Sequence, residues 1–143
     1  MNRVVAIFFL LSISNLFSQS KQVSKEQTKG KDIFEIDCSI RALDVENDST
    51  CWFAGSKNKF GYTNDFGKTW KESVIKYDTF SLEFRSISVT SNSVFILSVG
   101  STTLLFKIDK KSLNYKLVYN ETNEKAFYDS MQFWDDENGI AVG

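Results

Sequence analysis

The sequence contains no histidine and no proline, and only two of its 143 residues are cysteines. Without histidine, the chain cannot build a catalytic triad around an imidazole, a histidine general base, or a histidine-ligated zinc or iron site. Two cysteines are too few for a zinc site with four cysteine ligands. We therefore predict no cofactor, and no catalytic residue within this segment.

The sequence also lacks an excess of either charge, because 17 basic residues balance 18 acidic ones and leave a net charge of -1. A nucleic-acid-binding domain carries a basic patch or stripe, and a membrane surface attracts polybasic clusters. Neither is present. The charge balance predicts no nucleic-acid partner.

Aromatic residues are abundant, with 13 Phe, 5 Tyr and 3 Trp, and 42% of the chain is hydrophobic. The length corresponds to about one ordinary domain. Aromatic and β-branched residues favour strands over helices. We expect one all-β domain with a sizeable core.

The first 18 residues have the pattern of a cleavable signal peptide. A short basic start precedes the unbroken apolar run Val4–Leu11, which is far shorter than the roughly 20 residues needed to span a bilayer. Small and polar residues follow, and cleavage between Ser18 and Gln19 fits the pattern. We predict export to the periplasm, the cell surface or the medium, and no membrane span; a buried N-terminal strand or helix is the alternative.

Residues 19–33 are almost entirely polar. Such a segment cannot bury enough apolar surface to become ordered. We predict a flexible lead-in there and a folded domain over residues 34–143.

The two cysteines of this exported chain could form a disulfide. If the chain forms a hairpin around residues 47–49, Cys51 lies opposite about residue 44, and Cys38 lies some six residues further along. That separation is roughly 20 Å at the rise of a strand, beyond the reach of a disulfide. We predict two free thiols.

Three alternating segments recur along the chain, namely Ile40–Val45, Phe84–Val89 and Tyr128–Phe133, and each begins 44 residues after the one before it. Alternation of apolar and polar residues is typical of half-buried strands. The matching apolar positions form the predicted repeat core, which consists of Leu43, Val45, Ile87, Val89, Met131 and Phe133.

Each of these segments is followed by a polar turn and a second apolar run that ends at a glycine. Two of the three units continue with two further strands. The predicted third strands are Lys59–Thr63 and Thr103–Ile108, and the predicted fourth strands are Thr69–Ile75 and Tyr115–Asn120.

Four short strands in about 44 residues are typical of a β-propeller blade, and blades must stack to bury both faces. We predict an incomplete β-propeller of about two and a half blades, with units near 38–80, 81–125 and 126–143. A two-sheet sandwich is the alternative.

The stretch TNDFGKTW, Thr63–Trp70, joins the third predicted strand to the fourth. Asp65 can accept backbone N–H groups across a tight turn, and Gly67 can adopt a positive φ. Thr69 can join the same network, and Trp70 can pack its ring inward as the next strand begins. The matching stretch of the second unit keeps an aspartate, Asp109, but has no glycine. We interpret the stretch as a structural turn.

This stretch resembles the Asp-box, S/T-x-D-x-G-x-T-W, of the bacterial neuraminidase repeat (BNR). The matching residues are Thr63, Asp65, Gly67, Thr69 and Trp70. In sialidases, sortilin-type receptors and related propellers the box is a structural turn on the rim, away from the active centre.

The wider pattern, represented by Phe84–Val89 and Ala126–Gly143, most resembles secreted bacterial propellers of the photosystem II assembly-factor-like kind, which often carry the label "oxidoreductase". The resemblance covers about residues 37–143. This resemblance implies six or seven blades, so that the chain would be an N-terminal fragment whose remaining blades are its natural partners.

The absence of catalytic groups leads us to predict a binding or scaffold module for a protein or glycan partner. The alternative is the N-terminal part of a sialidase-like glycoside hydrolase whose catalytic residues lie in missing blades. The resemblance to a sialidase would require three arginines around the substrate carboxylate and an Arg-Ile-Pro motif. The mature chain has only Arg41 and Arg85, and it has no proline.

The sequence gives little support for other chemistry. A glycosidase uses a pair of carboxylates, and four aspartates could be nominated for that pair, but their context does not distinguish them from turn residues. They are Asp44, Asp129, Asp135 and Asp136. No GxGxxG or CxxC motif supports a redox enzyme. The oxygen-rich stretch Trp134–Gly139 could bind calcium or form a turn that ends in a glycine.

Overall fold

The computed structural model describes residues 34–78, 81–100 and 102–143. The predicted signal peptide and polar lead-in lie outside the described residues. The described part forms ten strands and no helix, so it contains no helix that could cross a membrane. The strands are β1 Ile40–Asn47, β2 Thr50–Gly55, β3 Lys59–Thr63, β4 Lys71–Val74, β5 Glu83–Val89, β6 Ser93–Val99, β7 Leu104–Asp109, β8 Tyr115–Asn120, β9 Ser130–Phe133 and β10 Gly139–Val142.

The strands form three antiparallel sheets that follow chain order. The first unit is the sheet β1-β2-β3-β4, the second is β5-β6-β7-β8, and the third is the two-stranded sheet β9-β10. Every neighbouring pair is antiparallel. Each sheet is a simple meander, because short turns connect strands that are adjacent in sequence.

Polar side chains close the hairpins between the first and second strands of a unit. In the first unit, Asn47 Oδ1 accepts the N–H groups of Ser49 and Thr50, both at 3.0 Å. In the third unit, Asp135 Oδ1 accepts the N–H groups of Glu137 and Asn138 at 2.8 and 2.6 Å. Asparagine and aspartate favour such turns because their side chains replace a backbone acceptor.

The main core lies between the first and second units. Trp52 and Phe60 from the first unit meet Phe84, Ile96 and Phe106 from the second, all at most 3% exposed. These residues project from one face of each sheet, as the two-residue period of a strand requires. Burial of their apolar surface is what joins the two sheets.

Strand β6 is buried on both of its faces. Val94 and Ile96 belong to the core shared with the first unit, whereas Phe95 and Leu97 form a second core with Met131 of the third unit. A strand covered on both faces has a continuous apolar run instead of alternation, which explains the sequence VFIL.

The third unit packs on the second through aromatic stacking. The rings of Phe95 and Phe133 lie parallel, with 3.6 Å between their centroids and 4° between their planes. Met131 is 5% exposed beside them. Strand β9 of the third unit therefore covers the inner part of the second sheet.

The predicted repeat-core residues occupy matching positions in the three units. Leu43, Ile87 and Met131 each lie on the first strand of a unit, opposite a residue of the second strand. Ile87 and Met131 are buried, and Val89 and Phe133 are half-buried. Leu43 and Val45, however, are 62% and 69% exposed. The core assignment of these two residues is corrected, since they lie on the face of the first unit that turns away from the second.

Trp70 also differs from expectation, because β4 begins after it, at Lys71. Its ring is half-buried and packs edge-on against Phe53, with the ring of Phe34 stacked on it at 6.0 Å between centroids.

Cys51 lies opposite Val45. Both cysteines are free thiols.

Candidate functional site

The first strands of the three units, β1, β5 and β9, lie side by side and enclose an open groove of about 310 Å³. We name this the inner-strand groove. Its polar lining residues are Arg41, Asp44, Arg85, Ser86, Asp129, Ser130 and Gln132. A groove with both signs of charge and several hydrogen-bonding groups can bind an extended polar ligand.

Both groove arginines are engaged in ion pairs that link one unit to the next. Arg41 Nη2 lies 3.2 Å from Glu83 Oε2 of the second unit, and Arg85 Nε lies 2.6 Å from Asp129 Oδ1 of the third. All four side chains are about 40% exposed, so each pair contributes about 0–1 kcal/mol to stability. This pairing does not favour the sialidase-like alternative, in which arginines would converge on one substrate carboxylate.

A second set of bonds ties the inner strands together through their backbone. Asp44 Oδ2 accepts the N–H of Val89 at 2.7 Å, and Ser88 Oγ accepts the N–H of Phe133 at 2.8 Å. The acceptor precedes the donor by 45 residues in both cases. The same relationship holds for Ser86 Oγ and the N–H of Met131, at 3.0 Å. These side chains satisfy backbone donors that no neighbouring strand reaches.

In the loop Thr63–Trp70 the side chains point back at the loop's own backbone. Asp65 Oδ1 accepts the N–H of Thr69 at 2.9 Å, and Asp65 Oδ2 accepts the hydroxyl of Thr69 at 2.6 Å. Thr63 donates its hydroxyl to Asp65 at 2.9 Å and accepts the N–H of Gly67 at 2.9 Å. Phe66 and Gly67 have φ values of 63° and 80°, and glycine adopts such values without a steric cost.

The second unit has a similar turn at the matching place. Asp109, 44 residues after Asp65, accepts the N–H groups of Lys111 and Ser112 at 3.2 and 2.8 Å, and the Ser112 hydroxyl at 2.7 Å. Leu113 has a φ of 57°. An aspartate-centred turn therefore fastens the third strand to the fourth in both units, although only the first has the glycine.

The carboxylates of the β9–β10 turn also accept hydrogen bonds from other groups of the protein. Asp135 bonds its own turn, and Asp136 accepts bonds from the Thr90 hydroxyl and from Asn92 Nδ2, the latter at 2.7 Å. These hydrogen bonds hold the pKa of Asp136 well below its usual value, and the bond from the Thr90 hydroxyl has the largest effect. The described residues contain no group of three acidic or cysteine side chains placed to hold a metal ion, and the oxygen-rich stretch Trp134–Gly139 forms a turn.

A second concave region of about 450 Å³ lies beside β7 and β8, where Lys107, Asp109, Lys116 and Asp136 meet. Lys107 Nζ donates to the Asp136 carbonyl and lies 5.4 Å from the centroid of the Phe95 ring. Much of its polar lining already serves the contact between units. We take the inner-strand groove as the candidate site because it spans all three units, although its charged residues also join them.

No known protein family matches this sequence, and no curated protein matches it either. Nine chains of known structure match the fold. One is the structure titled "YCF48 bound to D1 peptide", matched with a TM-score of 0.62 over 73% of this chain at 15% identity. YCF48 is a photosystem II assembly factor with a β-propeller fold. The chain folds as part of a β-propeller.

This chain spans about a third of the YCF48 chain, 34% of its length. The predicted fold class, an all-β incomplete propeller, is confirmed by the four-stranded antiparallel sheets and by this neighbour. The three units are blades, and the inner-strand groove corresponds to the strands nearest the propeller axis.

Several residues that join the blades were not identified from the sequence. Ser86 and Ser88 hold the third blade, and Glu83 pairs with Arg41 across the first contact. Glu46 links the blades as well, since it accepts bonds from Trp52 Nε1 at 2.9 Å and from Lys110 Nζ at 2.8 Å. For Ser86 and Ser88, the signal available in the sequence was the 44-residue spacing of polar positions on the inner strands.

We expect the Asp65→Asn variant to unfold a few degrees below the unaltered protein at neutral pH. Bonds from the Thr69 hydroxyl, then from its N–H, lower the pKa of Asp65 from 3.8 to about 2. A lowered pKa in the folded state stabilises the fold above pH 3.8, and this contribution is lost as the pH falls through about 2. The difference in Tm should shrink over that window in thermal unfolding followed by circular dichroism.

The control is Asp48→Asn in the exposed β1–β2 turn, which should leave Tm close to that of the unaltered protein. An Asp65→Asn variant with unchanged Tm at pH 7 would show that the loop's bonds do not stabilise the blade.

Proposed function

We propose that this chain is a binding module that holds an extended segment of a protein partner in the inner-strand groove, and that it performs no catalysis itself. The observation that carries the proposal is the groove, where three adjacent inner strands present side chains of both charges to solvent. Extended segments bind to such surfaces through backbone and side-chain hydrogen bonds.

The hydrogen bonds that the acidic side chains accept within the protein support a binding function. Asp65, Asp135 and Asp136 bond the backbone or neighbouring side chains, and Asp44 accepts a backbone N–H. A general acid or base must instead reach the substrate with a pKa near the working pH. Lowered pKa values at Asp65 and Asp135 suit structural acceptors.

The fold neighbour adds a second line of support. Its title states that YCF48 is bound to D1 peptide. At 15% identity this likeness concerns the fold alone, so a peptide ligand for the present chain is our proposal. We also propose that the Thr63–Trp70 loop is an Asp-box, that the protein is exported, and that further blades complete the propeller in the full-length protein.

The test is selection of a displayed random-peptide library on the immobilised protein, followed by titration of the enriched peptides by calorimetry. We expect enriched peptides to bind the unaltered protein and to bind the Arg41→Gln/Arg85→Gln variant at least tenfold more weakly. Both side chains line the groove and belong to exposed ion pairs. Their loss should therefore change Tm little.

Lys57→Gln is the matched control, because Lys57 also forms an exposed ion pair, with Asp37 at 2.6 Å, but lies outside the groove. It should leave peptide affinity unchanged. No enrichment, or equal losses in control and groove variant, would contradict the proposal. Enrichment on a glycan array without peptide enrichment would assign the groove to a carbohydrate partner instead.

A further inference from the structure

A third concave region, of about 360 Å³, lies where the first blade is joined to the second. One wall belongs to the segment between β4 and β5, and the other belongs to the connection between β6 and β7. We name it the junction cavity, and it shares no lining residue with the inner-strand groove. Blades added at either end of the chain would pack on the outward faces of the first and third blades. They would therefore leave this cavity open.

The segment between β4 and β5 is fixed at both of its ends by one residue, Asn58. Its side-chain Nδ2 donates to the Ile75 carbonyl at 2.8 Å, and its Oδ1 accepts the N–H of Leu82 at 2.6 Å. The backbone of Asn58 accepts the N–H of Ile75 and donates to the carbonyl of Leu82, both at 3.0 Å. These bonds hold the first wall in place, as a precise binding site requires.

The second wall is anchored by a buried hydrogen bond. Ser98 Oγ accepts the N–H of Leu104 at 2.9 Å, and both residues are buried. Between them, Gly100 has a φ of 139°, in the region of backbone conformation that favours glycine. Walls fixed in this way before a ligand arrives reduce the entropy lost on binding.

The junction cavity combines a buried apolar floor with an exposed polar rim. Leu82 and Leu104 are buried, whereas Asp78, Ser81 and Thr102 are exposed. The apolar lining residues are Leu82, Val99 and Leu104, and the polar ones are Tyr77, Asp78, Ser81 and Thr102. Apolar walls with a few well-placed polar groups are typical of small-molecule sites.

Three hydroxyl groups of the cavity are available to a ligand. Those of Tyr77, Ser81 and Thr102 form no hydrogen bond with another described residue. The ring of Tyr77 packs edge-on against Phe106, with 5.6 Å between the centroids, so its phenol group is held at the cavity. Each hydroxyl can both donate and accept a hydrogen bond, and the carboxylate of Asp78 can accept several.

We propose that the junction cavity binds one ring of a neutral saccharide. The hydroxyl groups at the edge of a sugar ring pair with the hydroxyls of the rim and donate to Asp78, and its C–H groups pack on Leu82 and Leu104. The volume of about 360 Å³ is near the lower end of the range of about 300–1,000 Å³ for ligand sites, which suits a single ring.

The charge of the cavity favours a neutral ligand. Asp78 is the only charged residue among those described in its lining, and no lysine or arginine is among them. A phosphate or a sugar acid would meet the Asp78 carboxylate without a compensating positive charge. An amine would pair with Asp78 but would leave the three hydroxyl groups without acceptors. A polyhydroxylated ring satisfies all four polar side chains.

The experiment is an NMR titration of the isotopically labelled protein with glucose, galactose, mannose and N-acetylglucosamine in turn. We expect at least one sugar to shift the amide signals of Tyr77, Leu82 and Leu104 in a saturable manner. Asp78→Asn should weaken its binding about tenfold, the usual effect of losing a hydrogen bond to a charged group. Thr102→Val should weaken it several-fold. Both residues are exposed, so Tm should stay close to that of the unaltered protein.

Asp48→Asn and Thr122→Val are the matched controls, because both residues are exposed and lie outside the cavity. They should bind the sugar like the unaltered protein, and so should Arg41→Gln/Arg85→Gln, since the two sites are separate. No saturable shift with any of the four sugars, or equal affinity in Asp78→Asn and its control, would overturn the proposal. Tighter binding of ethanolamine or inorganic phosphate than of any sugar would overturn it too. None of these results would affect the peptide-binding proposal, which concerns the inner-strand groove.

Discussion

The Phe106→Ala variant is expected to lose about 3–5 kcal/mol of unfolding free energy, the usual cost of truncating a buried phenylalanine. Phe106 is 1% exposed between the first and second blades. The rings of Tyr77, Phe84 and Tyr115 meet it edge-on, with centroids 5.6, 6.3 and 6.3 Å away. Such ring pairs add to the energy of simple burial, so the cavity would remove contacts on several sides.

The measurement is urea-induced unfolding followed by tryptophan fluorescence. Since an ordinary domain is stable by only about 5–15 kcal/mol, the variant should lose a large share of its stability and unfold at a lower urea concentration. Phe127→Ala is the matched control, because Phe127 is 54% exposed and should cost less than about 1 kcal/mol. Equal losses in the two variants would show that the contact between blades does not carry the stability.

Strand positions within the blades could be predicted closely from the sequence. Lys59–Thr63 and Tyr115–Asn120 are strands with the predicted bounds. Alternation and turn residues are local signals, and an antiparallel meander uses only local connections. The 44-residue spacing added the non-local information that the units stack.

Burial of the repeat positions could not be predicted in the same way. Leu43 and Ile87 occupy equivalent strand positions, yet one is 62% exposed and the other 6%. Periodicity shows which side of a strand is apolar, but burial depends on whether another sheet covers that side. The first blade has no such neighbour among the described residues at Leu43.

The bonds between blades were missed for a different reason. Asp44 and Ser88 perform the same task for backbone donors 45 residues later, although one is a carboxylate and the other a hydroxyl. A comparison of residue types does not recognise them as equivalent. What the blades share is a polar acceptor at a fixed strand position, which the pairing register shows directly.

The Gly61→Ala variant is expected to lose about 3 kcal/mol, the upper part of the usual range for an overpacked site. A Cβ at Gly61 would lie 2.2 Å from the carbonyl oxygen of Lys71 and 2.7 Å from the ring of Phe53. The ring could turn aside, but the carbonyl belongs to β4, which pairs with β3 at this point. The extra methyl group must therefore push β4 away from its neighbour.

Hydrogen exchange distinguishes this displacement from a general loss of stability. Amides of β4, Lys71–Val74, should exchange faster in Gly61→Ala under native conditions, while amides of β6 keep their protection until the protein unfolds globally. Gly67→Ala is the matched control, since Gly67 has a φ of 80° but nothing within 4 Å of the added atom. It should cost only the left-handed backbone strain of about 1–2 kcal/mol. Unchanged exchange at β4 in Gly61→Ala would contradict the close approach of the two strands.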